Sequence, residues 1–395
     1  MQPPREKNLH TGVILLIIVL AQFFGTSVWF ATNAVLGEIT RIFDLPADAL
    51  GTLTSSVQFG FIAGTLVFAI LHLADRYLPS RIFFVCALVA AASNLAVLWA
   101  DGFTSLLLLR ILTGLSLAGI YPVGMKIAAD HHEKGLGRAL GFLVGALVIG
   151  TSFPHLLTAF TGLFNWEAVL IWTSVLAAAG GILILLLVPA GPFRKPGGRM
   201  RLRAVWQVFR IRNFRAAAFG YFGHMWELYT FWAFIPVILA TYRESHAGMS
   251  WPGPLLSFLV VFLGFPACVA GGYISGALGS FRTARAALFI SMVCCLCSPL
   301  FFQLPEPVFL ALVAVWSMAV IADSPQFSTL VANAAPAESR GTALTLVNCI
   351  GFSITIVSIM ALTWLKAVVP PERLYLFLAP GPVLGLFAMR RSTDR

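Results

Sequence analysis

Long apolar runs recur along this chain from about residue 11 to residue 389, and short polar breaks divide them into twelve. Each run is close to the ~20 residues that an α-helix needs to cross the hydrocarbon core of a bilayer. The runs are continuous, without the alternation and ten-residue length of transmembrane strands. A helix satisfies its own backbone hydrogen bonds in lipid, so helices are the expected spanning element. Hydrophobic residues make up 59% of the 395 residues and charged residues 11%. No water-soluble domain of that size needs so much apolar surface. The expectation is an all-α integral membrane protein with twelve transmembrane helices. They fall at about 11–35, 50–72, 81–100, 103–126, 137–160, 167–189, 214–240, 253–280, 284–303, 307–333, 341–366 and 371–389.

The basic residues orient these spans, because Lys and Arg accumulate in cytoplasmic loops. With the first residue inside, only Arg41, Arg243, Lys366 and Arg373 fall outside, and Arg110 and Lys126 fall within a span. The other twenty of the 26 Lys and Arg lie on the inner side. Both termini are therefore expected in the cytoplasm of a multi-pass plasma-membrane protein, bacterial inner membrane being the natural setting. The net charge of +10 is accounted for by loops facing anionic membrane lipid, and no nucleic-acid partner is expected. The first run is too long for a signal peptide and lacks a small-residue cleavage site, so none is expected to be removed. All six cysteines, Cys86, Cys268, Cys294, Cys295, Cys297 and Cys349, fall within spans. They read as small apolar residues and not as a metal cage. No metal, cofactor or enzymatic activity is expected. The chain carries no phosphate-binding GxxxxGK[ST] loop and no HExxH, so uphill work would draw on an ion gradient.

The chain divides into two similar parts. The longest polar break, 190–213, is rich in Gly, Pro and Arg and leaves six spans on each side. The expected domains are 1–189, a cytoplasmic linker at 190–213, and 214–395. Phe23-Phe24-Gly25 is echoed by Tyr221-Phe222-Gly223. Tyr121-Pro122, Ala129-Asp130 and Gly137-Arg138-Ala139-Leu140 are echoed by Ser324-Pro325, Ala332-Asn333 and Gly341-Thr342-Ala343-Leu344. The offset is about 200 residues throughout. Such a duplication marks two pseudo-symmetric six-helix halves, and duplicated carriers bind their solute where the repeats meet.

The loop after the second span reads Leu73-Ala74-Asp75-Arg76, then Arg81, and the fourth span carries Arg110 and Gly114. In these motifs and in nearly its whole length the chain resembles the major facilitator superfamily of secondary transporters. The loop matches the core of that family's GxLADRxGRR signature, with Leu71 and Leu78 where glycines are usual. Arg110 and Gly114 match its RxxxG signature. Pro154-His155 stands where antiporters of the family often have Gly-Pro. The resemblance implies a monomeric carrier of a small molecule working by alternating access. It also assigns Asp75, Arg76 and Arg81 to a gate at the helix ends.

Ionisable groups inside a bilayer are costly and face a cavity or a partner. Of the sixteen Asp and Glu, only Glu227 and Asp323 lie deep in a span. His224 is three residues from Glu227, hence on the same helix face, and an imidazole beside a carboxylate is suited to moving a proton near neutral pH. Gln326 stands likewise to Asp323, with Pro325 between them to loosen the helix. Glu227, His224, Asp323 and Gln326 are therefore the leading candidates for solute and proton binding. Arg110 is a partner for an anionic solute or, more simply, for a buried acid. Gln22, Gln58, Tyr229, His155 and Asn348 complete the candidate set. The reading is a proton-coupled secondary active transporter. An uncoupled facilitator or a drug or metabolite efflux antiporter shares the architecture, sodium is a second candidate ion, and a membrane sensor or enzyme is the reading of a different class.

Overall fold

A computed structural model describes residues 11–132, 136–160, 165–194, 207–246, 251–336 and 340–390. Twelve helical crossings follow one another in the order expected. They are α1 Thr11–Thr26, α2 Ala49–Ile70, α3 Pro79–Leu95, α4 Phe103–His131, α5 Leu136–Ala159 and α6 Trp166–Leu187. The second six are α7 Arg212–Ser245, α8 Gly253–Leu278, α9 Ser280–Phe301, α10 Glu306–Ala334, α11 Arg340–Leu365 and α12 Pro380–Met389.

Nine of these are long and apolar enough by themselves to cross a membrane, among the described residues. The other three each have a physical reason for falling short. α1 stops at Thr26 and resumes, after a bend through Val28, Trp29 and Phe30, as the short helices Ala31–Ala34 and Leu36–Phe43. α7 has the length, at 34 residues, but His224, Glu227 and three arginines lower its hydropathy. α12 is preceded by a 3₁₀ segment, Pro371–Leu378, that covers the rest of the crossing. Large apolar side chains stand exposed around the outside, with Leu108, Leu186, Val357 and Leu384 all more than half exposed. A protein in water would bury them, and in lipid they cost nothing.

The internal repeat reappears as matched breaks. α4 is interrupted after Leu117 and restarts at Tyr121, and α10 is interrupted at Asp323 and restarts at Ser324. Pro122 and Pro325 sit in the first turn of the restarting segments, where a missing N–H leaves no bond unmade. Close helix contacts are glycine-dependent. A Cβ on Gly114 would strike the Val57 carbonyl, and one on Gly60 would strike Ile111, so α2 and α4 meet backbone to backbone. Gly223 and Gly381 do the same for α7 and α12. Small residues at such crossings are how helices pack in lipid, where burial against neighbours gains little from the hydrophobic effect.

The first six helices meet the last six along two seams. α2 packs on α11, and α5 packs on both parts of α8. Between described residues, side-chain hydrogen bonds run inside the first six helices or inside the last six. The seams are filled by apolar and aromatic groups, with the Arg138 guanidinium lying 5.5 Å over the Tyr273 ring at one end.

Candidate functional site

An aromatic cluster closes the middle of the molecule. Trp29, on the bend after α1, stacks on Tyr229 of α7 and Phe352 of α11, with ring centres 5.6 and 6.0 Å apart and planes within 26° and 24°. Phe61 of α2 lies 4.4 Å from Phe352. Phe30 and Trp232 close the other side of Tyr229. These rings belong to both halves of the chain, and most are fully buried.

Cavities lie on either side of the cluster. One of about 520 Å³ opens on the face opposite the chain ends, among Asn33, His155, Thr241, Arg243, Glu244 and Lys366. One of about 430 Å³ opens on the face carrying the chain ends, among Thr65, His72, Lys126, Thr342 and Thr345. A central chamber of about 20 Å³, room for one water, adjoins the rings and is lined by Tyr121, Tyr221, Tyr229, Asn348, Ser324 and Ser328 with apolar neighbours. Tyr229 and Asn348, expected at a binding site, are therefore brought together there. Tyr121 and Tyr221, which nothing in their spacing singles out, join them. His155 is expected nearby and instead lines the larger outer cavity.

The buried acids sit one layer behind this chamber, and they are not paired as their spacing suggests. Glu227 and His224 share a helix face in the sequence, but α7 turns them to different neighbours. Oε1 of Glu227 accepts hydrogen bonds from Ser291 Oγ (2.5 Å), Cys295 Sγ (3.1 Å) and Trp316 Nε1 (2.6 Å), on α9 and α10. His224 Nδ1 lies instead 2.8 Å from Asp323 Oδ1, at the break in α10. That contact has the distance of an ion pair without the alignment of a directed hydrogen bond, and both side chains are fully buried. The expected His224–Glu227 couple is thus replaced by a His224–Asp323 couple and a separately caged Glu227. Tyr221, whose ring centre is 5.9 Å from that of His224, and Ser324, next to Asp323, connect the His–Asp pair to the chamber wall. Gln326 is buried against Gly271 of α8.

Arg110 is also resolved differently. It is fully buried, yet no carboxylate lies within ion-pair distance among the described residues. Its NH1 donates to the Val28 carbonyl (3.2 Å) and Thr32 (3.4 Å), and its NH2 to Asn94 Oδ1 (3.2 Å) and Thr113 (2.6 Å). Asn94 in turn donates to Leu170, Thr173 and Ser174 of α6. The arginine therefore ties the α1 bend, α3, α4 and, through Asn94, α6 into one unit. The acid partner expected for it is absent from this network. Gln22 and Gln58 are buried, and neither amide has a hydrogen-bond partner among the described residues. In the loop after α2, Arg76 ends the four-residue helix Leu73–Arg76 and, like Arg81, is exposed. The side chain of Asp75 lies outside the described residues, as do residues 195–206 of the 190–213 linker.

A match to the Major Facilitator Superfamily runs over residues 18–360. The chain belongs to that superfamily. The superfamily transporter YybF of Bacillus subtilis (strain 168) is 22% identical over 254 residues, 58% of this chain and 62% of its own. The 3-(3-hydroxy-phenyl)propionate transporter of Escherichia coli (strain K12) is 30% identical over 159 residues, 40% of this chain and 38% of its own. The chain thus spans less than two thirds of the length of these relatives. Among solved structures, the human organic anion transporter MFSD10 (TETRAN) aligns with a TM-score of 0.74 at 14% identity, over 98% of this chain and 100% of that one. This superfamily member therefore has a twelve-helix fold in two pseudo-symmetric halves, set in a membrane.

Proposed function

We propose that this protein is a proton-coupled secondary active transporter of a small organic solute, and that the His224–Asp323 pair holds the coupling proton. The units that move are the halves 1–189 and 214–395, joined by the 190–213 linker, with both termini in the cytoplasm of a plasma membrane. The observation that carries the coupling reading is a fully buried imidazole 2.8 Å from a fully buried carboxylate. The pair stands at a helix break and is reached from the central chamber through Tyr221 and Ser324. A group that takes up a proton there alters the charge of the wall that the solute meets. Two cavities on opposite faces, separated by aromatic rings, support alternating access: parting the halves at one end would extend one cavity to the chamber while the other stays closed. Relatives named for organic acids or organic anions support an organic solute over an inorganic ion.

The test is transport in proteoliposomes with an imposed pH gradient, followed by a pH dye in the lumen during a solute screen. A transported solute should move protons with the wild-type protein. Asp323→Asn and His224→Gln should abolish uphill accumulation and proton movement while retaining exchange of solute at equal pH. Normal gradient-driven accumulation by both variants would refute the assignment.

A further inference from the structure

We infer that the solute is a planar aromatic organic anion, bound with its ring between Trp29 and the Tyr229–Phe352 pair and its acid group at the indole N–H groups of Trp29 and Trp232. This rests on the reading of the protein as a transporter, and it adds the solute's chemistry and the residues that recognise it.

The first observation is a set of orphaned donors. Trp29 and Trp232 are each 1% exposed, and neither Nε1 has a hydrogen-bond partner among the described residues. An indole N–H can donate and cannot accept. Buried polar groups are nearly always satisfied, so each exception calls for a partner, and the partner of a donor-only group is an acceptor. Two other tryptophans near the buried acids are satisfied: the buried Trp316 donates to Glu227, and the half-buried Trp226 to the Phe377 carbonyl. The two orphaned indoles are the two in the cluster between the halves, and both pack on Tyr229.

The second observation is the shape of that cluster. Trp29 from one half lies nearly parallel to Tyr229 and Phe352 from the other, at 5.6 and 6.0 Å between ring centres. Among the described residues, no side-chain hydrogen bond joins these rings across the seam. Carbon atoms in contact are about 3.5–4.0 Å apart, so a separation of about 4 Å would admit one flat ring in a ring-on-ring stack. Such a stack substitutes one aromatic contact for another, and aromatic pairs at this range are mutually favourable. The closed cluster is then what the halves form in the absence of a ring between them.

The third observation is the charge along the route. The outer cavity presents Arg243 and Lys366 with one acid, Glu244. The inner one is lined by Lys126 and His72, with no acid among its described lining residues. Among the described residues, the central chamber lining carries phenols, hydroxyls and an amide but no charged side chain. Aromatic walls could also hold an organic cation, but the basic outer mouth disfavours one, and an orphaned N–H gains nothing from it.

Equilibrium binding to the full chain in nanodiscs at fixed pH tests this, because binding needs no proton gradient. The probes are 3-phenylpropionate, cyclohexanepropionate as its non-aromatic counterpart, 3-phenylpropanol as its neutral one, and benzyltrimethylammonium. The expected order places 3-phenylpropionate first, with cyclohexanepropionate and the alcohol each about tenfold or more weaker. Trp29→Phe and Trp232→Phe keep a ring and remove the N–H. Each should weaken 3-phenylpropionate about tenfold or more, the scale of a hydrogen bond to a charged group, and leave the alcohol within about twofold. A loss that affects anion and alcohol alike would assign the indoles to packing and overturn the inference, as would binding of benzyltrimethylammonium as tight as that of the anion. Absence of aromatic-anion binding to a folded protein that accumulates another solute uphill would overturn it while leaving the transporter reading standing. Intact anion binding with no uphill transport would do the reverse.

Discussion

Removing the Trp316 donor from Glu227 separates a structural acid from a working one. The carboxylate has three donors on one oxygen, from Ser291, Cys295 and Trp316, and its second oxygen has no partner among the described residues. Three donors converging on one oxygen is the arrangement expected of a caged charge. Trp316→Phe deletes the 2.6 Å bond and keeps an aromatic ring against Phe231, whose ring centre is 4.6 Å away. A hydrogen bond to an ionised group contributes roughly 1.5–3 kcal/mol, against roughly 0.5–1.5 kcal/mol for a neutral pair. The smaller ring also leaves a void, whose cost adds to the measured loss. A double-mutant cycle with Glu227→Gln removes that ambiguity, because the void is common to both backgrounds. Unfolding in mixed detergent micelles should give a coupling of about 1.5–3 kcal/mol between positions 227 and 316. Glu227→Gln should also leave uphill transport intact, since the acid faces α9 and α10 and lines none of the cavities described. A coupling near zero would refute the caged-charge reasoning. Loss of proton movement in a well-folded Glu227→Gln protein would return this residue to the coupling role.

Further outcomes follow from the packing and the charge distribution. Gly114→Ala should destabilise the protein by roughly 1–3 kcal/mol, as overpacking does, because its Cβ would strike the Val57 carbonyl; Gly137→Ala, with open space around it, should be neutral or slightly stabilising in the same unfolding assay. Arg110→Met should cost more stability than Thr32→Val, because it strips Asn94, Thr113 and the Val28 carbonyl of a shared partner. Cysteines placed at the exposed positions Tyr77 and Glu244 should react with an impermeant maleimide from opposite sides of the membrane, Glu244→Cys from outside intact cells and Tyr77→Cys only after lysis.

The architecture was readable because its cause is local. Crossing lipid demands a run of about 20 apolar residues, and that demand is written in composition without reference to any distant residue. The break in α10 was readable for a similar reason, through Pro325, whereas the break in α4 was not expected and shows only in the structure, at Pro122. Partnerships were not, because they depend on how helices rotate against one another. His224 and Glu227 are three residues apart, which puts them on one face but still about 60° apart around an axis of 3.6 residues per turn. In α7 that angle is enough to give Glu227 to Ser291 and Trp316 and His224 to Asp323. Arg110 was expected beside an acid because a buried charge needs compensation. A carbonyl, an amide and two hydroxyls supply it instead, and none of them stands out in a sequence. The role of Trp29 depends on the bend after Thr26, which no turn residue announces.

The arrangement of bonds bears on how the molecule would move. Directed bonds such as those of Arg110 and Glu227 lie within one half, whereas the seams are made of rings, methyl groups and close glycine contacts. Contacts without direction can be broken and remade at a shifted angle at little cost, and a network of hydrogen bonds cannot. If the halves turn as units, a tether across a seam should arrest the cycle and a tether within a half should not. Gly141 of α5 faces α8, where a Cβ would come 3.9 Å from the Gly272 Cα, so Gly141→Cys with Gly272→Cys offers a bond across the seam near the face carrying the chain ends. Gly181 of α6 faces α3, where a Cβ would come 2.8 Å from the Ala87 Cβ, so Gly181→Cys with Ala87→Cys offers one inside the first half. Oxidation of the first pair should stop solute exchange in proteoliposomes and reduction should restore it, while the second pair should leave the rate within about twofold in either state. Exchange that continues through a fully formed α5–α8 disulfide would mean that this seam does not open during transport, and the moving boundary would then have to be sought between α2 and α11.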